Sequence, residues 1–139
     1  MKNLKPEDNK FHIGNGEDKK HYWLTPKNIY DELDAEFHFD FDPCPINPSF
    51  DGLTIEWKKC NFVNPPYNQS KLWIKKSWEE WKKGKTIVML IPARTDTIAF
   101  HQYIYCQAEI RFIKGRLKFD DSKNSAPFPS MLIIFRGIK

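Results

Sequence analysis

Thr86-Ile87-Val88-Met89-Leu90-Ile91 offers no position beyond its first residue for a solvent-facing polar side chain. A strand of this kind is expected in a parallel sheet covered on both faces, so helices must flank it. The surrounding sequence supplies them. Thr25-Pro26 reads as a helix entry, Thr as cap and Pro at the first position, with Ile29, Leu33 and Phe37 following and an end near Glu36. Ser70–Lys83 places Ile74, Trp78 and Trp81 on one helical face, and Gly84 stops it. Asp96 can cap a third helix through about Tyr105.

The alternation Phe37–Asp42 predicts a short strand, and Pro43, Pro45 and Pro48 make a rigid loop after it. Asp51-Gly52 is a turn, and Leu53–Trp57 is either a weak strand or one helical turn. Cys60–Val63 is a second strand. Glu109–Ile113 and Leu117–Phe119, joined around Gly115, read as a strand pair; Ser122–Pro129 is a polar loop, and Met131–Phe135 a final buried strand. The expected fold is single-domain α/β, mostly parallel with antiparallel C-terminal strands. Residues 1–20, polar and without apolar period, read as a mobile N-terminal arm, and residues 21–139 as the domain.

Asn64-Pro65-Pro66-Tyr67 leaves the second strand. Two prolines fix φ and remove two donors, giving a stiff corner with free carbonyls. An amide oxygen and a rigid carbonyl can accept both hydrogens of an exocyclic amine, while a phenol ring stacks on the plane carrying it. The plain alternative is a Pro-Pro turn with a surface tyrosine. Ligands of α/β sheets gather at the carboxyl ends of the strands. Asp42, Asn64 and Arg94 each follow a predicted strand, so one rim can collect a carboxylate, the amine clamp and a guanidinium.

The charge balance, 22 Lys+Arg against 18 Asp+Glu, is mildly basic and compatible with a phosphate-bearing partner. Cys44, Cys60 and Cys106 form no C-x-x-C or zinc-like set, which predicts a reduced, intracellular, metal-free protein. No stretch has the roughly 18 apolar residues of a membrane span, and the N-terminus lacks a signal-peptide apolar region. The cytoplasm is the expected compartment.

The order Trp23-Leu24-Thr25-Pro26, Phe39-Asp40-Phe41-Asp42-Pro43-Cys44, Asn64-Pro65-Pro66-Tyr67 resembles the phage-type, Dam-like DNA N6-adenine methyltransferases. Leu90–Thr97, Lys114–Phe119 and Ala126–Ser130 also look like that family, extending the match over roughly residues 22–136. The resemblance implies a Rossmann-like methyltransferase fold, S-adenosyl-L-methionine as cofactor and DNA, duplex or single-stranded, as partner. It implies host cytoplasm if phage-encoded; monomer and homodimer both remain open. Trp23, Thr25 and Pro26 would touch the cofactor, as would Asp42, Pro43, Cys44 and Asn64. Asn64, Pro65, Pro66 and Tyr67 would be catalytic, holding the target amine. Pro-Cys-Pro stands where many methyltransferases carry a Gly-rich loop, and Glu56 is the candidate acid for the cofactor ribose.

Other residues carry two readings each. Arg94 and Asp96 are a surface pair or helix cap, or belong to the site. Arg94, Lys114, Arg116 and Lys118 suit phosphate contacts, and equally suit solvated edge protection. Trp73, Trp78 and Trp81 read as packing residues rather than a base-stacking platform. Cys44 reads as a packing or cofactor contact rather than a nucleophile. The acceptor alternatives to DNA adenine are an RNA adenine or a protein glutamine amide, and the non-enzymatic alternative is a nucleic-acid-binding module.

Overall fold

The computed structural model describes residues 25–46, 48–118 and 126–138. The N-terminal arm expected over residues 1–20, Trp23 and Phe119 lie outside them. Helix α1 (Lys27–Phe37) precedes β1 (Cys60–Val63), and α2 (Ser70–Lys82) precedes β2 (Thr86–Pro92). A π-helical turn (Phe100–Ile104), β3 (Glu109–Phe112) and β4 (Ser130–Phe135) complete the order.

The strands form one sheet in the order β1-β2-β4-β3. β1 and β2 pair in parallel, whereas β4 runs antiparallel to both β2 and β3. β3 therefore points the same way as β1 and β2, and β4 alone is reversed. The sheet is mixed. The pair expected between Glu109–Ile113 and Leu117–Phe119 does not form, since Leu117 and Lys118 are not in a strand; Glu109–Phe112 pairs antiparallel with β4 instead.

The unbroken apolar character of β2 follows from cover on both sides. Ile87, Met89 and Ile91 pack with Trp73, Ile74, Phe100 and Ile104 on the α2 face. Val88 and Leu90 pack with Tyr30 and Leu33 of α1 on the other. β4 alternates in the same way, Met131, Ile133 and Phe135 against Leu132 and Ile134.

Several elements differ from expectation for identifiable reasons. α1 continues to Phe37, and His38 takes the left-handed conformation, φ 59°, with its N–H bonded to the Asp34 carbonyl. That shortens the strand expected at 37–42 to a single parallel bridge between Phe41 and Asn61. Leu53–Trp57 is neither strand nor helix. It is held by the Trp57 indole N–H donating to the Gly52 carbonyl at 2.7 Å. Gly52 itself has no room for a side chain, since a Cβ there would lie 1.9 Å from the Pro43 carbonyl oxygen. The deepest residues of α2 are Trp73, Ile74, Ser77 and Glu80, with Trp78 and Trp81 partly exposed. The buried face is thus rotated from the one read off the tryptophans, because Glu80 enters it with three lysine partners. The third helix is mostly π-helical, and Thr97 rather than Asp96 caps it, accepting the Phe100 N–H at 3.2 Å.

Candidate active site at the carboxyl edge of the sheet

Parallel strands end on one edge, so the chain leaving β1 at Asn64 and the chain leaving β2 at Ala93 emerge side by side. The start of β4 joins them, since Ser130 pairs with Pro92 in the ladder. The Phe41 bridge puts Asp42 on the same edge. Ile113 N–H donates to the Ser130 carbonyl at 3.2 Å, which brings the Lys114–Lys118 turn to this rim as well. Asp42, Asn64 and Arg94 therefore share an edge. Lys114, Arg116 and Lys118 leave β3 at that edge as exposed residues of a loop built around Gly115, φ 75°.

The Asn64 corner is rigid. Pro65 and Pro66 are buried, and Pro66 has the extended φ −56°, ψ 128° that its ring favours. A single 3₁₀ turn, Tyr67–Gln69, then hands the chain to α2, with Ser70 Oγ donating to the Tyr67 carbonyl at 2.8 Å. Asn64 Nδ2 donates to Thr25 Oγ1 at 2.9 Å. Thr25 does not cap α1: Pro26 occupies that position without a side-chain bond. The hydroxyl expected to start a helix instead holds the amide.

Asn64, Pro65 and Tyr67 line a small cavity with Leu90, Phe128 and Ser130, with room for about 10 Å³. That is about one water, or an amino group, and far less than a purine ring. The Tyr67 ring lies 5.5 Å from Phe128 at an interplanar angle of 51°, and the Arg94 guanidinium sits 5.9 Å from the Phe128 centroid. A second, open cavity of about 630 Å³ lies on the α2 face, shared by Tyr67, Ile74, Ile91, Phe100 and Met131, with Lys71, Arg94 and Asp96 on its rim. Asp42 lines neither of these two cavities.

Asp42 accepts the Cys44 N–H at 2.9 Å, folding Pro43-Cys44 back over it. Burial pushes its carboxyl up to about 7, against the opposing effect of that hydrogen bond. Cys44 is pushed well above the usual thiol range, by burial first and then by Asp42, so it is no thiolate nucleophile. Asp40 is spent on structure, accepting the Cys60 N–H at 3.1 Å. Glu56 lies beside Lys83 and Lys85, just ahead of β2 and hence at the opposite edge. It is the wrong end of the sheet for a ribose contact.

The tryptophans are packing residues. Trp57 and Trp73 stack at 6.2 Å, Trp81 packs on Phe135, and the Trp78 indole donates to Gln107. Phe128 and Ser130 were not assigned roles from the sequence. The available signals were an aromatic residue between two prolines and a serine heading an otherwise apolar strand.

A sheet covered on both faces, with polar loops converging at the carboxyl ends of its strands, is the layout of an α/β ligand-binding domain. Residues 15–139 match the family model described as DNA N-6-adenine-methyltransferase (Dam), and the protein belongs to that family. Neither the curated proteins nor the solved structures give a match. Among the described residues, no helix is long and apolar enough to cross a membrane.

Proposed function

We propose that the protein transfers a methyl group from S-adenosyl-L-methionine to the N6 amine of adenine in DNA, with Asn64-Pro65-Pro66-Tyr67 as the amine clamp. The observation carrying this reading is that Asn64, Pro65 and Tyr67 border one amine-sized cavity at the rim. Family membership supplies the reaction class. Residues 21–139 act as one Rossmann-like domain in this reading, with the N-terminal arm apart from it.

Asn64 uses its Nδ2 on Thr25, which fixes the amide plane and with it the direction of Oδ1. Oδ1 and the Pro65 carbonyl accept the two amino hydrogens. Adenine N6 is a weak nucleophile because its lone pair is delocalised into the ring. Two acceptors draw the nitrogen toward tetrahedral geometry, localise the lone pair and stabilise positive charge as it develops. The nitrogen gains the methyl and then releases one proton to water, so a strong base is not required. Tyr67 stacks on the base, which must leave a duplex to reach it. Arg94, Lys114, Arg116 and Lys118, on the same rim, are the phosphate contacts of this reading.

The cofactor, when bound, supplies an electrophilic methyl on a sulfonium. The residues present suit its charged end: Asp42 is a half-buried carboxyl whose surroundings disfavour ionisation, and a ligand ammonium would compensate it. Thr25, Pro26, Pro43, Cys44 and Asn64 are the other cofactor contacts of this reading, with Trp23 assigned from the resemblance.

The test is methyl transfer from labelled cofactor to duplex DNA, single-stranded DNA, RNA and a protein lysate. Label is expected in the DNA, on adenine N6. Asn64→Ala should abolish transfer while keeping the cofactor-dependent thermal shift. Transfer to protein alone, or no thermal shift with the wild type, would sink the reading.

A further inference from the structure

Ser130 is 2% exposed, and among the described residues its Oγ has no hydrogen-bond partner. Buried polar groups are nearly always paired, so such a hydroxyl needs an explanation. Its place in the fold offers one. Along β4, Leu132 and Ile134 point to the α1 face with Phe62 and Phe128, and Ser130 falls in the same phase. Two strands over, beyond β2, Asn64 follows β1 in phase with Phe62. Ser130 accordingly lines the same small cavity as Asn64, Pro65, Tyr67 and Phe128. The contrast is Ser77, among the described residues the other buried hydroxyl without a partner, which lines neither cavity.

The cavity has room for an amino group while the ring that bears it stays against Tyr67 and Phe128. In adenine the carbon carrying the amine is flanked by N1 on one edge and, across the ring fusion, by N7 on the other; both accept hydrogen bonds and neither donates. We infer that Ser130 Oγ–H donates to one of these ring nitrogens, making Ser130 a specificity-determining contact to the target base. This rests on the methyltransferase reading above. The clamp alone recognises an NH₂ group; the hydroxyl adds recognition of the acceptor beside it.

The experiment crosses one substitution with three substrates. The full chain, wild type or Ser130→Ala, is supplied with cofactor and oligodeoxynucleotides whose single target is adenine, 1-deazaadenine or 7-deazaadenine. On one of the analogues the wild type should lose roughly tenfold in kcat/KM, the scale of one hydrogen bond. Ser130→Ala should show about that loss on adenine and no further loss on the same analogue. Independent losses that multiply in the variant would overturn the inference, because the deaza substitution also alters the amine itself. Equal wild-type activity on all three targets would overturn it too, and needs no variant. Absence of transfer from the wild type to any adenine would instead bring down the parent reading, and this contact with it.

Discussion

Thr25 Oγ1 receives the Asn64 amide N–H at 2.9 Å across 39 positions of sequence, linking the segment before α1 to the corner after β1. Because Thr25 makes no capping bond, its hydroxyl serves the amide rather than the helix. Thr25→Val keeps the shape and removes the acceptor. It is expected to lower kcat by about ten- to a hundredfold, since small misplacements of a clamping group have effects of that order. The melting temperature should change little, and Thr25→Ser should retain most of the activity. Full kcat in Thr25→Val would show that Asn64 needs no such support.

Tyr67 and Phe128 approach to 5.5 Å, whereas a base held between two parallel rings needs about 7 Å, twice a van der Waals contact. Stacking of the base on Tyr67, as proposed, therefore requires that pair to open or the base to sit at its margin. Tyr67→Ala should raise the KM for DNA by roughly 5- to 150-fold, the range corresponding to about 1–3 kcal/mol of stacking. Tyr67→Phe should change it little. The cofactor-dependent thermal shift should be the same in all three proteins. A KM for Tyr67→Ala equal to that of the wild type would remove the ring from the substrate contact.

Local chemistry made part of this arrangement readable in advance. Thr86–Ile91 has one consistent structural use, and two successive prolines after Phe62-Val63 force a corner wherever they occur. Ser70 and Gly84 bracket α2 through turn chemistry that needs no tertiary partner. What escaped depended on distant neighbours. Glu80 looks like a surface residue until Lys76, Lys83 and Lys85 are brought around it. Asn61 is fully buried in β1 because its amide bonds to Lys58 and Thr86. Thr25 reads as a cap because the competing Asn64 amide is remote in sequence. Phe128 sat inside a stretch read as a polar loop and Ser130 just ahead of the strand read at Met131–Phe135, with no periodic signal for the cavity they line.

Glu80, 0% exposed, ties α2 to the residues before β1 and β2. It accepts from Lys76, Lys83, Lys85 and the Trp57 N–H. Burial alone would raise its carboxyl, but the hydrogen bonds from Lys85, Lys76, Trp57 and Lys83 outweigh it and hold the group at about 2. A depressed native pKa stabilises the fold above the unfolded value near 4.5, and the contribution disappears as pH falls through about 2. Thermal melts should show that acid limb. Glu80→Gln should lack it and be less stable at neutral pH by about 2 kcal/mol, since the charge-assisted bonds from the largely covered Lys76 and Lys85 to a buried carboxylate are lost. Activity per folded molecule should be unchanged, because Glu80 lies at the far edge of the sheet from Asn64. An undiminished acid limb in Glu80→Gln would assign it to other carboxylates, among them Glu36 and Glu109, which their arginine partners also hold low.

Asp42 has the opposite sign. Its native pKa is raised by burial to about 7 from an ordinary 3.8, so between those values the folded chain binds the extra proton. Stability of the ligand-free protein should therefore fall as pH rises from about 4 to about 7, then level off. Asp42→Asn cannot ionise and should lose that slope. If Asp42 pairs with the cofactor ammonium, binding must draw off the proton. The cofactor-induced rise in melting temperature should then grow between about pH 5.5 and about pH 7.5 in the wild type. In Asp42→Asn the rise should be small and flat over the same interval. Melts at a series of pH values, with and without cofactor, read both effects from one data set. A pH-independent shift equal in the two proteins would detach Asp42 from the cofactor and leave its raised pKa a property of the fold alone.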